Sequence, residues 1–141
     1  MKTKQKTQIV KSLLRLGVFL QREGNRIVSD FGLNQQQLVV LKEIQEKGPV
    51  SQREICSELL LEKSNVSKIV GKLYSQGYIT VSHSERDNRR SILTVTAKGN
   101  SILDRCMERL NQWNSEWLRP MSARELNNTV GILSRLESLH K

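Results

Sequence analysis

Most of the chain carries apolar residues at the spacing of an amphipathic α-helix. In the N-terminal stripe the intervals are four, three and four residues, which predict one long helix over residues 6–30. A stripe with similar intervals predicts a final helix after Ser122. The first stripe fits packing within one chain and a seam between two copies equally well. The apolar positions are Ile9, Leu13, Leu16 and Leu20 in the first helix and Leu126, Val130, Leu133 and Leu136 in the last.

Polar residues mark where several helices begin. In a capping box, one side chain accepts a hydrogen bond from the backbone three residues later, and a Glu or Gln at that later position reaches back. The chain offers three such pairs, Asn34 with Gln37, Ser51 with Glu54 and Ser122 with Glu125, and Thr96 is predicted to cap a further helix. The helix after Asn34 should end near Lys47, with Gly48 in the left-handed conformation and Pro49 unable to continue it.

Alternation with a period of two replaces the helical spacing after Gly77. Residues 78–82 and 91–96 contain many β-branched residues and predict two strands. The segment between them is too polar for a core, so the whole stretch predicts a β-hairpin with a basic tip. Pro49 and Val50 leave room for one further, very short strand. The predicted fold class is mainly α with a small β-hairpin.

Residues 51–77 predict two short helices joined by a tight turn at residues 61–63. The buried stripes are predicted to be Ile55, Cys56, Leu59 and Leu60 on the first helix and Val66, Ile69, Val70 and Leu73 on the second. Gly77 is expected to end the second helix as a C′ glycine. The opposite face of the second helix carries small, polar and basic residues, namely Ser64, Asn65, Lys68, Gly71, Lys72 and Ser75.

This outer face suits the major groove of DNA, because small side chains permit close approach and Ser, Asn and Lys bond bases or phosphates. An ordinary solvated helix face has the same composition, so the helix pair alone leaves the choice open. The hairpin favours DNA, since Arg86, Arg89 and Arg90 at its tip suit the negative potential of the narrow minor groove. Asp87 is expected to orient Arg89 through a charge-assisted hydrogen bond. A solvated hairpin would use these charges only for local ion pairs.

The net charge agrees with a polyanionic partner. The formal charge is +9 and the isoelectric point is about 9.9, and residues 61–99 alone carry +4. This balance favours nucleic acid ahead of an anionic membrane surface. Aromatic residues make up 4% of the chain, which disfavours the base-stacking platforms used on single strands. The sequence has no apolar run near the ~20 residues that span a bilayer, and charged residues interrupt its N-terminal stripe, so neither a membrane span nor a signal peptide is expected.

Catalytic and metal-binding patterns do not stand out in the sequence. Without a nucleophile–base set, a phosphate loop or a carboxylate pair, we expect neither an enzyme nor a bound cofactor. His83 and His140 do not form a metal-spaced cluster. Cys56 and Cys106 lie on apolar stripes and are interpreted as core residues, with a reactive thiol as the alternative. Two cysteines do not make a disulfide framework, which favours the cytoplasm.

Two motifs resemble the MarR family of winged-helix transcriptional regulators. Residues 86–99, R-D-N-R-R-S-I-L-T-V-T-A-K-G, are similar to the family's wing pattern, D-x-R followed at fixed distance by L-T-x-x-G, with Val95 in place of the usual leucine. Residues 62–68, E-K-S-N-V-S-K, resemble its recognition-helix start, D-K-S-T-V-T-R. The order of predicted helices and strands agrees with the family over nearly the whole chain.

The resemblance implies a winged helix-turn-helix domain with N- and C-terminal helical dimerisation regions. Within one domain of residues 1–141, it assigns 34–99 to DNA binding (51–77 helix-turn-helix, 78–96 wing) and 1–30 and 100–141 to dimerisation. It further implies a homodimer on a roughly palindromic double-stranded DNA operator, more often as a repressor. Many members respond to small phenolic or other anionic ligands, for which the pocket candidates here are Leu16, Phe19, Leu20 and Trp113.

The residues expected to contact DNA come from three segments. They are Gln52 and Arg53 before the turn, Ser64, Asn65, Ser67, Lys68 and Lys72 on the recognition helix, and Arg86, Asp87, Arg89 and Arg90 in the wing. Two alternatives stay open: a thiol-based redox sensor on the same scaffold, and a winged-helix adaptor that binds protein instead of DNA. Thiol reactivity tests the first, and salt-dependent DNA affinity tests the second.

Overall fold

Helices surround a small antiparallel sheet in the computed structural model, which describes residues 2–83 and 91–140. In chain order the elements are α1 (Lys2–Val28), a 3-10 helix (Ser29–Phe31), α2 (Gln35–Lys47), β1 (Val50–Ser51), α3 (Gln52–Leu59), α4 (Lys63–Ser75), β2 (Ile79–His83), β3 (Ser91–Val95), α5 (Ala97–Trp117) and α6 (Ala123–Ser138). This order confirms the predicted fold class. The first helix begins at Lys2 rather than at residue 6, and the 3-10 helix follows it directly.

The start of α2 is as predicted, and its end differs in detail. The Asn34 side chain accepts a hydrogen bond from the Gln37 backbone (2.8 Å), and Gln37 Oε1 accepts one from the Asn34 backbone (2.9 Å). The expected left-handed conformation of Gly48 is wrong, because Gly48 has φ −48° and ψ 147°. Pro49 explains the difference, since a proline pushes the preceding residue towards extended backbone. A Cβ at Gly48 would still overlap the Ile44 carbonyl oxygen.

The sheet has the order β1–β3–β2 and is antiparallel throughout. β2 and β3 form the predicted hairpin, with Ile79 opposite Val95 and His83 opposite Ser91. The predicted very short strand is β1, which pairs with the other edge of β3. Leu93 therefore lies in the central strand, and its side chain is fully buried.

One core joins α2, α3, α4, the sheet and the first half of α5. Its largest fully buried side chains include Leu41, Ile44, Ile55, Leu73, Ile79, Leu93 and Leu103. Burying an aliphatic side chain of this size contributes about 1.5–3 kcal/mol. The buried face of α4 contacts α2, α3 and β2, and these elements fix its position.

The predicted buried stripe of α3 is partly wrong. Ile55 is fully buried, and Cys56 and Leu59 are half-buried against the core, but Leu60 is 63% exposed. The helix ends at Leu59, and Leu60 takes the left-handed conformation with φ 55°. This left-handed backbone changes the direction of the chain before α4. Leu60 therefore does not continue the helical spacing that predicted its burial.

The apolar stripes of α1 and α6 form helices but lie mostly outside this core. Every described residue of α6 is exposed, including Leu126 and Leu133 at 38% each. On α1, Ile9 and Leu13 are 55% and 43% exposed. Within residues 2–83 and 91–140, no helix has the length and apolar character needed to cross a membrane.

Candidate nucleic-acid interface

The orientation of α4 follows from its apolar stripe. Val66, Ile69, Val70 and Leu73 are buried, as the spacing predicts. The opposite face points away from the core and is built from the exposed residues Lys63, Ser64, Ser67, Lys68, Gly71, Lys72, Tyr74 and Ser75. Asn65 is half-buried at its edge. Tyr74 is 59% exposed, and nothing in the sequence pattern marked it as part of this surface.

The C-terminus of α4 is closed by the predicted glycine. Gly77 has φ 81°, a left-handed conformation that an L side chain rarely adopts. Its N–H donates to the Tyr74 carbonyl and the Tyr78 N–H donates to the Leu73 carbonyl, both at 3.0 Å. These two bonds are those of a Schellman motif. They end the helix at a defined residue and lead the chain directly into β2.

Residues at the start of α5 hold this end of α4 in place. Thr96 Oγ1 donates to the Gly77 carbonyl (2.7 Å) and also accepts from the Gly99 N–H (3.0 Å), which makes Thr96 the predicted N-cap of α5. Lys98 Nζ donates to the Gln76 carbonyl (2.9 Å), where a cation also complements the negative end of the α4 dipole. A Cβ at Gly99 would overlap the Tyr78 carbonyl oxygen. The threonine and glycine of the L-T-x-x-G pattern thus join α4, β2 and α5.

Two hydrogen bonds brace the middle and the start of α4. Gln52 Nε2 donates to Ser67 Oγ at 2.5 Å, which brings together two residues predicted to contact DNA. Asn65 Nδ2 donates to Gln36 Oε1 at 3.4 Å. Gln36 was not among the predicted residues, and it lies within a run of three glutamines that has no distinguishing pattern. Arg53 is exposed in the first turn of α3.

The N-terminus of α4 is weakly capped. Glu62 occupies the N-cap position in extended backbone, and within the described part of the chain its side chain forms no capping hydrogen bond. The first N–H groups of a helix lack intrahelical acceptors and carry the positive end of the dipole. Lys63 adds a full charge at the same end, so this terminus favours an anion.

The lysines of α4 are not engaged in the ion pairs that the described residues form elsewhere. Those pairs join Arg22 and Arg26 to Glu23 (3.8 and 2.9 Å), Lys42 to Glu46 (3.8 Å) and Arg109 to Asp30 (3.4 Å). The exposed Lys63, Lys68 and Lys72 therefore concentrate positive charge on the outer face of the helix. The predicted wing residues Arg86, Asp87, Arg89 and Arg90 lie outside the described residues.

The cysteines and aromatic residues lie away from this face. Cys106 is fully buried, and burial raises the pKa of its thiol although the Arg105 charge acts in the opposite direction. Cys56 is half-buried against the core. Among residues 2–83 and 91–140, no cluster of His, Cys, Asp or Glu could hold a metal ion. A buried thiol with a raised pKa is a poor nucleophile, which argues against Cys106 as a redox sensor.

Three aromatic rings form a cluster between α1 and α5. Phe19, Trp113 and Trp117 have ring centroids 5.5–5.8 Å apart, and each ring is half-buried. These separations are typical of favourable ring contacts. Of the other predicted pocket residues, Leu20 is half-buried, whereas Leu16 is 44% exposed.

Comparison with known proteins agrees with this architecture. The chain is 27% identical over 93 residues to the HTH-type transcriptional regulator BilQ of Clostridium symbiosum, an alignment that covers 66% of this chain and 65% of BilQ. The chain thus spans slightly less than two thirds of that relative's length.

Solved structures show the same fold over most of the chain. The transcriptional regulator BldR from Sulfolobus solfataricus superposes with a TM-score of 0.84 at 22% identity, covering 96% of this chain and 99% of BldR. Staphylococcus aureus MarR, solved in complex with salicylate and kanamycin, gives 0.85 at 18% identity and covers 96% and 92% of the two chains. The MarR family model matches residues 33–91, the segment that contains α2, α4 and the first strands. The resemblance seen in the sequence to the MarR family of transcriptional regulators is confirmed by this match and by the shared fold.

Proposed function

We propose that the protein regulates transcription by binding a specific duplex DNA operator through the outer face of α4. The observation that carries the proposal is the positive charge of that face, where the exposed Lys63, Lys68 and Lys72 surround small polar side chains and form no ion pair with the described residues. A helix of this kind enters the major groove with its lysines on phosphates and its small residues near the bases. The fold supports this role. The core packs against the buried face of α4, and the side chains of Thr96 and Lys98 donate to the carbonyls of Gly77 and Gln76 at its C-terminal end.

Each predicted contact residue has a role in this proposal. Ser64 and Lys68 lie at the centre of the outer face, while Ser67 and Asn65 are oriented by Gln52 and Gln36. In the proposal, the exposed Arg53 of α3 and Lys72 near the C-terminal end of α4 contact the phosphate backbone. The sequence adds Arg86, Arg89 and Arg90 for the adjacent minor groove, with Asp87 orienting Arg89.

Two copies of the chain would act together. The apolar stripes of α1 and α6 are exposed in the single chain, and contiguous exposed apolar surfaces mark interaction sites. A homodimer formed through them would present two α4 helices to half-sites about one helical turn apart on a roughly palindromic operator.

The finer proposal is repression that a small ligand relieves. A dimer seated on an operator blocks access of other proteins to the same DNA, which makes repression the simplest outcome. The S. aureus relative was solved with salicylate, a planar phenolic acid. In this chain the rings of Phe19, Trp113 and Trp117 offer an aromatic surface between α1 and α5, and we propose that a phenolic or other anionic ligand binds next to it.

Selection of bound duplexes from a random pool, followed by fluorescence anisotropy, tests the function. Wild-type protein should enrich one palindromic sequence, and log K should fall steeply with log salt concentration. Lys68→Gln should weaken binding about fivefold to tenfold and reduce the salt slope by about 1, because one phosphate contact is lost. Repeating the titration with salicylate tests relief by a ligand.

Arg135→Gln is the matched control, since it removes the same charge from an exposed position of α6 opposite the Leu126–Leu133 stripe. It should leave both the affinity and the salt slope close to wild type. Enrichment of no sequence, together with salt-independent binding, would contradict the proposal and favour the protein-binding adaptor.

A further inference from the structure

Gly71 occupies an unfavourable position for a glycine. It lies inside the 13-residue helix α4, with one to two turns of helix on either side. A helix is less stable with a glycine in its interior than with an alanine, because a glycine has more backbone freedom in the unfolded chain and loses it on folding. The other glycines near this site have structural reasons, since Gly77 is left-handed and Gly99 packs on the Tyr78 carbonyl.

The described structure contains no internal reason for Gly71. It is exposed, and none of the described residues brings an atom within 4 Å of the point where a Cβ would lie, apart from the helix's own neighbouring backbone. Its backbone is helical rather than left-handed. An alanine would therefore fit the folded chain without displacing anything and would stabilise α4.

The place of Gly71 on the helix gives an external reason. At 100° per residue it lies close to the direction opposite the buried stripe, one turn from Lys68 and two turns from Ser64. Around the helix, Lys68 and Lys72 lie about 60° and 100° from Gly71 on one side, and Lys63 lies about 80° away on the other. Lysines therefore flank both edges of the strip that contains Ser64 and Gly71. If the lysines on the two edges reach phosphates, the strip of small residues between them points to the floor of the groove.

We infer that Gly71 is where the α4 backbone comes closest to the base edges of bound DNA. The inference rests on the proposed function and names the residue that sets the depth of insertion. A methyl group at Gly71 would hold α4 away from the bases and lengthen the contacts made by its neighbours. Gly71 thus determines specificity because it has no side chain to keep α4 away from the bases.

Gly71→Ala separates this inference from a structural role, because the two measurements should move in opposite directions. The melting temperature should rise by about 2–5 °C. Affinity for the duplex selected by the wild type should fall about tenfold or more, as expected when base contacts are lost. A second pool selection with Gly71→Ala should show altered preference at the base pairs under the centre of α4.

Gly131→Ala is the matched control, since Gly131 is also an exposed helix glycine with open space at its Cβ, in α6. It should raise the melting temperature without changing DNA affinity. If Gly71→Ala binds the selected duplex within twofold of wild type, or loses stability, the inference is wrong while the proposed function stands. Wild-type protein that selects no duplex overturns both.

Discussion

Leu60 occupies a backbone conformation that costs stability. Its φ of 55° and ψ of 37° are left-handed, and its side chain is 63% exposed at the turn between α3 and α4. For a residue with a Cβ this conformation costs about 1–2 kcal/mol. The turn needs it, because the Leu60 and Leu61 N–H groups both bond the Cys56 carbonyl and close the end of α3.

We predict that Leu60→Asn raises the free energy of unfolding by about 1 kcal/mol relative to Leu60→Ala. Asparagine tolerates the left-handed region, whereas alanine keeps the steric penalty and removes a comparable apolar surface. Urea unfolding of the two variants measures the difference. Equal midpoints would show that the turn does not strain Leu60.

At the scale of elements, α6 differs from the other helices because it has no buried face of its own. Its capping box forms as predicted, with Ser122 and Glu125 hydrogen-bonded in both directions. The bond from Ser122 lowers the pKa of the Glu125 carboxyl. Yet Leu126, Val130 and Leu133 remain 38–64% exposed on one side. A well-capped amphipathic helix with an uncovered stripe is a surface suited to a second copy of the chain.

We predict that Leu133→Glu weakens the proposed dimer by about a hundredfold or more. In a twofold-symmetric seam the substitution would bury two unpaired carboxylates, which costs several kcal/mol. Sedimentation velocity over a range of protein concentrations measures the change. Asn128→Glu adds the same charge on the opposite face of α6 and should leave the dimer intact. A wild-type protein that sediments as a monomer at micromolar concentration would contradict the dimer proposal.

At the scale of the whole molecule, the access of a thiol reagent to Cys106 measures how often the core opens. It is fully buried on α5 beside the core residue Leu103. A reagent should reach it only when the fold opens, and opening in a protein of ordinary stability is rare. Burial also raises the pKa of the thiol, so little thiolate forms near neutral pH.

We predict that Cys106, as the sole thiol of a Cys56→Ser variant, is alkylated at least about a hundredfold more slowly in the native protein than in urea. Cys56, isolated in Cys106→Ser, should react faster because it is only half-buried. Mass spectrometry of timed samples measures both rates. Fast labelling of native Cys106 would favour the redox-sensor alternative.

The raised pKa also has a consequence for stability. Because the folded thiol holds its proton more tightly than the unfolded thiol, its contribution is fully present below the unfolded pKa of about 8.5. It is lost as the pH rises towards the folded pKa, so the free energy of unfolding should decline above about pH 8.5. Cys106→Ala should reduce that decline.

Local sequence determined where most elements begin and end. Three capping hydrogen bonds join residues that are three positions apart, namely Asn34 and Gln37, Ser122 and Glu125, and Thr96 and Gly99. Because both partners are close in sequence, the local sequence is enough to predict them. The apolar period of α4 likewise determined which of its faces is buried. Gly48 was mispredicted although its cause is also local, because the conformational preference before Pro49 overrides that of a helix C-cap glycine.

Tertiary structure decided how these pieces are held against one another. The Gln52–Ser67 bond spans 15 residues, the Thr96–Gly77 bond 19 and the Asn65–Gln36 bond 29, and such pairings leave no periodic signal. Leu60 is exposed because of the backbone turn between α3 and α4. The helical spacing of apolar residues alone could not predict that turn. Sequence therefore determined the outer face of α4 and the uncovered stripes of α1 and α6. Packing decided the rigid placement of that face, because contacts between distant residues form only once the core has brought them together.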